Sequence, residues 1–344
     1  MLPLEMVKTQ QFLDKYPMGM SAEYYLGVDI TLISLQSLSI FGNGFIICLF
    51  FISKRLKKNM GLRLILLLCM SDFIFAVTAL PYIINYLIGW NLDYFDYSPL
   101  FIIVSSIPLL VQFKINLIIT IAIAVDRLQA MRFPVFYRGK NHMRYVWGIL
   151  IIGLILGYSD VILEFFTTEF NIHRYNCAAI GCFQDKLFRA YWGISNMVLN
   201  VIALILTIWV AIELNLIGSR SLTQIVGQRE RKQLAQANKL SFGVLLISMA
   251  FLLIPSTFVG IIELYNLDIF KKYGPFYVFG LLLAGVSNSF IYIGLHQEIR
   301  TAAIYVLKNR TFKMNVPTSS IAYATNFRSS VSVHPGGNEF RSSY

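Results

Sequence analysis

Charge is scarce in this 344-residue chain: Asp, Glu, Lys and Arg make up 14% of it, against 56% hydrophobic residues. A soluble domain carries about a quarter charged residues, and the polar stretches here are too short to cover the apolar ones. A large soluble helical protein is thereby excluded. Histidine is nearly absent, with His142, His173, His296 and His334 scattered along the chain. Neither His-Glu-x-x-His nor Gly-x-Ser-x-Gly occurs, so a membrane enzyme finds no metal motif and no nucleophile elbow to support it. Glu5, Lys8, Asp14 and Lys15 interrupt the start of the chain, which lacks the basic-then-apolar order of a cleavable leader. The first apolar run is expected to target the chain instead. No internal repeat and no inverted symmetry relates the two halves, which weighs against a transporter of the repeated kind. The one glycosylation pattern, Asn309-Arg310-Thr311, falls on the inner side, where it is not expected to be used.

What the chain has in abundance is long apolar runs, at 27–52, 62–88, 99–125, 145–166, 190–217, 240–262 and 275–295. About twenty apolar residues are what an α-helix needs to cross the hydrocarbon core, and inside lipid the backbone must satisfy its own hydrogen bonds. The fold class is therefore an all-α membrane protein with seven transmembrane helices. The parts are an outer N-terminal segment (1–26), the seven-helix domain (27–295), a short amphipathic helix (296–310) and a disordered inner tail (311–344). In that short helix Ile299, Ala302, Ala303, Val306 and Leu307 fall at helical spacing beside Arg300, Lys308 and Arg310, as in a helix lying on the inner leaflet.

The net charge of +11 suggests nucleic acid at first sight, but its distribution points to the membrane. Most of the 29 Lys and Arg residues sit after the first, third and fifth runs and in the tail; Glu5, Asp14, Glu23, Asp93, Asp96, Glu169, Asp185 and Asp268 occupy the other side. Lys and Arg mark the cytoplasmic face, so the N-terminus is expected outside and the tail inside. Four cysteines divide evenly. Cys48 and Cys69 lie within helices and read as small packing residues. Cys177 and Cys182 share an outer loop, exposed to an oxidising compartment, where a disulfide and two free thiols are both open readings.

Polar residues inside spanning helices are expensive and mark function or pairing. Asn43, Asp72, Asn116 and Asn288 stand within the first, second, third and seventh runs and can face one polar core. That core reads either as structural glue or as a switch; around Asp72 it has the oxygens for a hydrated sodium ion or a proton. The third helix closes on Asp126-Arg127, an acid and a base at a membrane edge, which form a pair that is easily rearranged. No other metal site and no cofactor is expected.

Gly42-Asn43, Ser71-Asp72, Asp126-Arg127 with Pro134, Trp147, Pro255 and the stretch from Asn288 to Tyr292 occur in that order on successive helices. Together they resemble the marks of class A (rhodopsin-like) G-protein-coupled receptors. The resemblance implies a G-protein cavity at Arg127, restrained by Asp126, with Tyr292 and Pro255 as switch residues. There are departures. Leu128 stands where the family has Tyr, Ser289 where it has Pro, and no aromatic residue occupies the switch position before Pro255. The cysteine usual at the outer end of helix 3 is missing, so Cys177 and Cys182 cannot make the family's loop-to-helix bond, though they could bond to each other. These departures, with the segments 126–137 and 176–183 and Tyr191-Trp192, resemble nematode serpentine chemoreceptors, class bc among them. The resemblance implies a plasma-membrane chemosensory receptor, in a sensory cilium for some members. Its expected partners are a small-molecule odorant or pheromone, a heterotrimeric G protein and the lipid membrane, with no nucleic acid. A transporter or channel is the alternative.

Candidate ligand residues lie in the outer half. Lys114 is about 20 Å outward from Arg127, at about 1.5 Å per residue, level with Asp160 of the fourth helix; Glu164 follows Asp160 one turn outward. Lys114 then either pairs with Asp160 or anchors an acidic ligand. Phe113, Tyr82, Trp192 and Tyr277 are among the aromatics that could line an apolar pocket.

Overall fold

Among the residues described by this computed structural model (19–170, 174–219, 228–264 and 274–309), seven helices are long and apolar enough to cross a membrane. They are α1 (Ala22–Ile52), α2 (Met60–Ile88), α3 (Pro99–Arg132), α4 (His142–Thr167), α5 (Lys186–Leu216), α6 (Ala235–Phe258) and α7 (Phe276–Leu295). A final helix, α8 (Gln297–Asn309), follows. The expected inner tail and residues 1–18 of the expected outer segment lie outside the described residues.

Helix ends follow local chemistry more than hydropathy. The first helix starts at Ala22 rather than at residue 27, because Ser21 caps it: its Oγ accepts from the Tyr24 N–H at 3.3 Å. Asn59 and Asn141 cap the starts of α2 and α4 with their side-chain oxygens. Two α-helical pieces make up most of α2, Arg63–Thr78 and Leu80–Ile88, divided where Pro81 enters the second. The third helix runs on to Arg132 and stops at Phe133, since the residue before Pro134 disfavours helical backbone. A short helix, Pro134–Gly139, follows. In α6 a π-turn, Met249–Leu253, precedes Pro255. Proline has no N–H to offer the Phe251 carbonyl, and that oxygen faces α7, where a Cβ on Gly280 would stand 2.7 Å from it.

The hub is α3. Its apolar window is 72% buried, against 22% for α4, and every residue from Gln112 to Leu117 is inside. The approach of α4 depends on Gly153 and Gly157, a small-xxx-small pair on one face. A Cβ on Gly157 would lie 2.9 Å from the Val111 Cα, and one on Gly153 3.1 Å from the Ile115 Cα. Gly42 does the same for α1 against Ser289 of α7, at 2.6 Å from its Oγ.

Three expectations need correction. The short helix starts at Gln297 rather than at residue 296, because His296 is in extended backbone and separates it from α7. Leu307 is 69% exposed, while Ile299, Ala302, Ala303 and Val306 are buried as the stripe predicts. Cys48 points outward, whereas Cys69 is buried with its Sγ on the Asn43 side-chain and backbone oxygens at 3.4 Å.

Replacing Gly157 by Leu should force α3 and α4 apart and destabilise the bundle by about 1–3 kcal/mol. The expected readout is a lowered unfolding temperature in detergent and reduced surface delivery. Gly148→Leu on the same helix, where a Cβ meets nothing within 4 Å, should change neither.

Candidate functional site

Three layers of polar and aromatic side chains are stacked along α3. The central layer gathers the polar residues that the sequence singles out. Asp72 Oδ1 accepts from Gln112 Nε2 at 3.1 Å and from Asn116 Nδ2 at 3.4 Å. Asn43 donates to Ser39 Oγ at 3.1 Å and to the Gly285 carbonyl at 3.3 Å, joining α1 to α7. Thr120 extends the layer to Ser248 of α6 at 3.4 Å. Asn288 stands beside Asp72. Even so, both ends of its amide, the Asp72 Oδ2 and the Tyr292 hydroxyl form no well-aligned hydrogen bond. One carboxylate among neutral oxygens suits a monovalent cation or a proton. Among the described residues no group of three His, Cys, Asp or Glu is placed to hold a metal.

The inner layer is built on Arg127, which is 2% exposed. Its guanidinium is ion-paired with Asp126, donates to the Tyr137 hydroxyl at 3.0 Å and reaches Asn238 Oδ1 of α6 at 3.5 Å. Tyr137 in turn donates to Asp126 Oδ2 at 3.2 Å. Burial pushes the Tyr137 phenol up to about 12, so it stays a hydroxyl and can donate to the acid while accepting from the base. Gly61 packs beside the guanidinium; a Cβ there would be in ordinary contact, 3.5 Å from both terminal nitrogens. A few residues inward, Arg132 Nε donates to Glu213 Oε1 of α5 at 2.7 Å, and its guanidinium lies over the Trp209 ring at 5.1 Å.

The outer layer contains a cavity of about 60 Å³ between α3, α5, α7 and the outer loop, lined by Tyr82, Leu109, Leu110, Gln184, Arg189, Trp192, Tyr277 and Val278. Phe113 packs with Trp192 and Tyr277, with ring centroids 4.7–5.5 Å apart. A disulfide joins Cys177 to Cys182, with the Cα atoms 6.4 Å apart. The same loop lays Ala179, Ile180 and Gly181 along the cavity. It is anchored by Asn176, whose left-handed backbone (φ 56) suits a short amide side chain. The Asn176 Oδ1 accepts from the Phe95 N–H at 2.9 Å.

Lys114, Asp160 and Glu164 come together but do not line this cavity. Lys114 Nζ lies 3.4 Å from Asp160 Oδ2 and donates to Ser195 Oγ of α5 at 2.7 Å; Lys and Asp side chains are 2% and 1% exposed. Tyr191 donates to Asp160 Oδ1 at 3.3 Å. Glu164 accepts from Gln184 Nε2 at 2.5 Å, and only through that amide does it reach the cavity wall. Pro255 follows the π-turn of α6.

Sequence reading missed several partners. Gln112 has a signal, since it lies one turn from Asn116 on the same helix face. Asp29 of α1 has one too, as a carboxyl in an apolar run; it is 2% exposed with Oδ2 unpaired. Tyr137, Asn238 and Gln184 lie outside the runs or at their edge, and nothing in their spacing sets them apart.

The description of one protein family, the serpentine type 7TM GPCR chemoreceptors Srbc, matches residues 20–298, from the cap of α1 through all seven spans into α8. No curated protein matches.

The Lys114–Asp160 pair makes a clear expectation. Removing one partner strands a buried charge and costs about 3–5 kcal/mol, whereas removing both costs far less. Lys114→Met should therefore lose surface delivery, and Lys114→Met with Asp160→Leu should recover part of it, read by surface immunolabelling. A double variant no better than the worse single one would count against a structural pair.

Proposed function

The chain belongs to the serpentine type 7TM GPCR chemoreceptor family Srbc, and on that premise we propose how its layers carry a signal. It is an integral membrane protein and a chemosensory G-protein-coupled receptor, of a family that is not enzymatic. Our reading places the N-terminus outside the plasma membrane, or that of a sensory cilium, and the tail in the cytosol. A small-molecule odorant or pheromone enters the outer cavity and changes the packing of Phe113, Trp192 and Tyr277. The change passes along α3 and α6 to the inner end, where a heterotrimeric G protein binds. A transporter or channel is not favoured: Lys114, Asp72 and Asp126 pair at separate levels rather than lining one path.

One observation carries this reading. Arg127, at the inner end of the most buried helix, is sealed from solvent by Asp126, Tyr137 and Asn238. A side chain so held is reachable only if α6 or the short 134–139 helix moves away, which gives two states of the kind that a ligand can bias. The π-turn before Pro255 supplies a place for α6 to bend. In the centre, Asp72 with Asn116 and Asn288 takes a sodium ion or a proton in the resting state, and Tyr292 moves in to complete the network when the inner end opens.

Two substitutions test the latch. Arg127→Ala leaves Asp126 the Tyr137 hydroxyl as a donor and should abolish G-protein activation per receptor at the surface; full signalling by the surface-delivered variant would sink the proposal. Tyr137→Phe removes the bridge between acid and base but leaves the arginine. If that bridge contributes about 1.4 kcal/mol, ligand-independent signalling should rise about tenfold, measured as basal nucleotide exchange.

A further inference from the structure

A second space adjoins the outer cavity. A groove of about 760 Å³ runs between α1 and α7, with Glu23, Tyr24, Gly27, Val28 and Thr31 on one side and Phe279 on the other. Pro275 and Phe276, at the start of α7, line both the groove and the cavity. The two spaces are thus back to back, parted by that first turn. Gly27 presents no side chain to the groove, and a Cβ there would meet nothing within 4 Å. Among the described residues Glu23 stands at the outer end of the groove, while Val28 and Phe279 farther along the helices make its floor apolar, a lining suited to contact with lipid.

The chemistry of the cavity says what could use such an opening. Neither basic side chain near it is available to a ligand's negative charge. Lys114 is committed to Asp160 and Ser195. Arg189 Nη1 donates to the Gly181 and Gln184 carbonyls at 2.8 and 3.0 Å. The rest of the wall is mainly aromatic and aliphatic. Transfer of a charged molecule through such a gap costs far more than transfer of an apolar one. From the other direction, the disulfide loop lies along the cavity and is pinned to the 95–97 segment by Asn176 and by the Asp96–Tyr175 bridge.

We propose that the α1–α7 groove is a lateral port through which an uncharged, apolar small molecule dissolved in the bilayer reaches the cavity, passing Phe276. The port deepens the receptor reading above and rests on it. Its ligand is one that partitions into lipid first, so the effective concentration at the port is set by the membrane rather than by the water.

The test uses 3-trifluoromethyl-3-phenyldiazirine, an uncharged aromatic photolabel that partitions into bilayers, with the full chain in phosphatidylcholine nanodiscs. Flash photolysis at successive times after mixing, followed by peptide mass spectrometry, reports when each region is labelled. Residues 27–31 should be labelled first and Leu109 and Tyr277 later. Gly27→Trp, and independently Thr31→Trp, should slow cavity labelling at least fivefold without changing labelling of the outward-facing Ile155 on α4. Gly27→Ala should behave as the parent chain. Cavity labelling that builds up at the parent rate in both tryptophan variants overturns the port, as does a groove that is never labelled. The label needs no signalling. Intact, groove-dependent labelling in a receptor that activates no G protein with any ligand would overturn the receptor reading and leave the port standing.

Discussion

Placing α3 in the middle of the bundle is the constraint on which the rest of the structure depends. Most of its length is buried, so its polar side chains need partners inside the bundle. Gln112 and Asn116 turn to Asp72 of α2, Lys114 to Asp160 and Ser195, and Thr120 to Ser248. Arg127 turns to Asp126, Tyr137 and Asn238. The central helix thereby specifies how its neighbours are rotated, because a neighbour turned by one residue would leave a charge or an amide unmet. Close approach makes these short polar contacts possible, and Gly153 and Gly157 provide it on the α4 side.

The layers differ in how completely they are paired. Lys114 is met from two helices, by Asp160 of α4 and Ser195 of α5. The centre is incomplete: Asp72 Oδ2, the Asn288 amide and the Tyr292 hydroxyl have no well-aligned partner. Buried polar groups without a partner cost about 1–3 kcal/mol each, so a cation, a proton or a side chain that supplies a partner here is favoured. Along α5, Asn196 and Asn200 are buried with both ends of each amide unpaired. Ser256 of α6 is unpaired too. Asn196, Asn200, Ser256 and Asn288 lie on the α5, α6 and α7 side, where the π-turn and Pro255 also sit, while Asp29 of α1 and Asp72 of α2 lie on the other.

At the inner end, departures from the class A pattern have structural counterparts. Leu128 leaves no tyrosine next to Arg127, but Tyr137 arrives from the following loop and bridges acid and base. The contact from Arg127 to α6 is with a neutral amide at 3.5 Å, weaker than an ion pair would be. A separate charged contact, Arg132 with Glu213, ties the inner ends of α3 and α5. At the outer end the missing helix 3 cysteine is matched by a bond within the loop, and the loop is held to its neighbour by Asn176.

Much of this was readable from the chain alone. Membrane spans announce themselves because lipid demands runs of a minimum length, and Asp72, Asn116 and Lys114 stand out because polar residues there are costly. Depth was readable as well: a fixed rise per residue put Lys114 level with Asp160. Rotation was not, since the azimuth of each helix depends on packing against the others, and so the two readings of Lys114 stayed open until Ser195 and Asp160 were seen to face it. Tyr137, Asn238 and Gln184 were invisible for a related reason. Each is an ordinary polar residue at a loop or helix edge, given its role only by what the fold brings beside it. The sequence by itself determined which segments enter the membrane and which polar groups must be paired there. The tertiary structure alone decided who pairs with whom, because pairing requires the helices to be assembled, and it alone showed which buried groups remain unpaired.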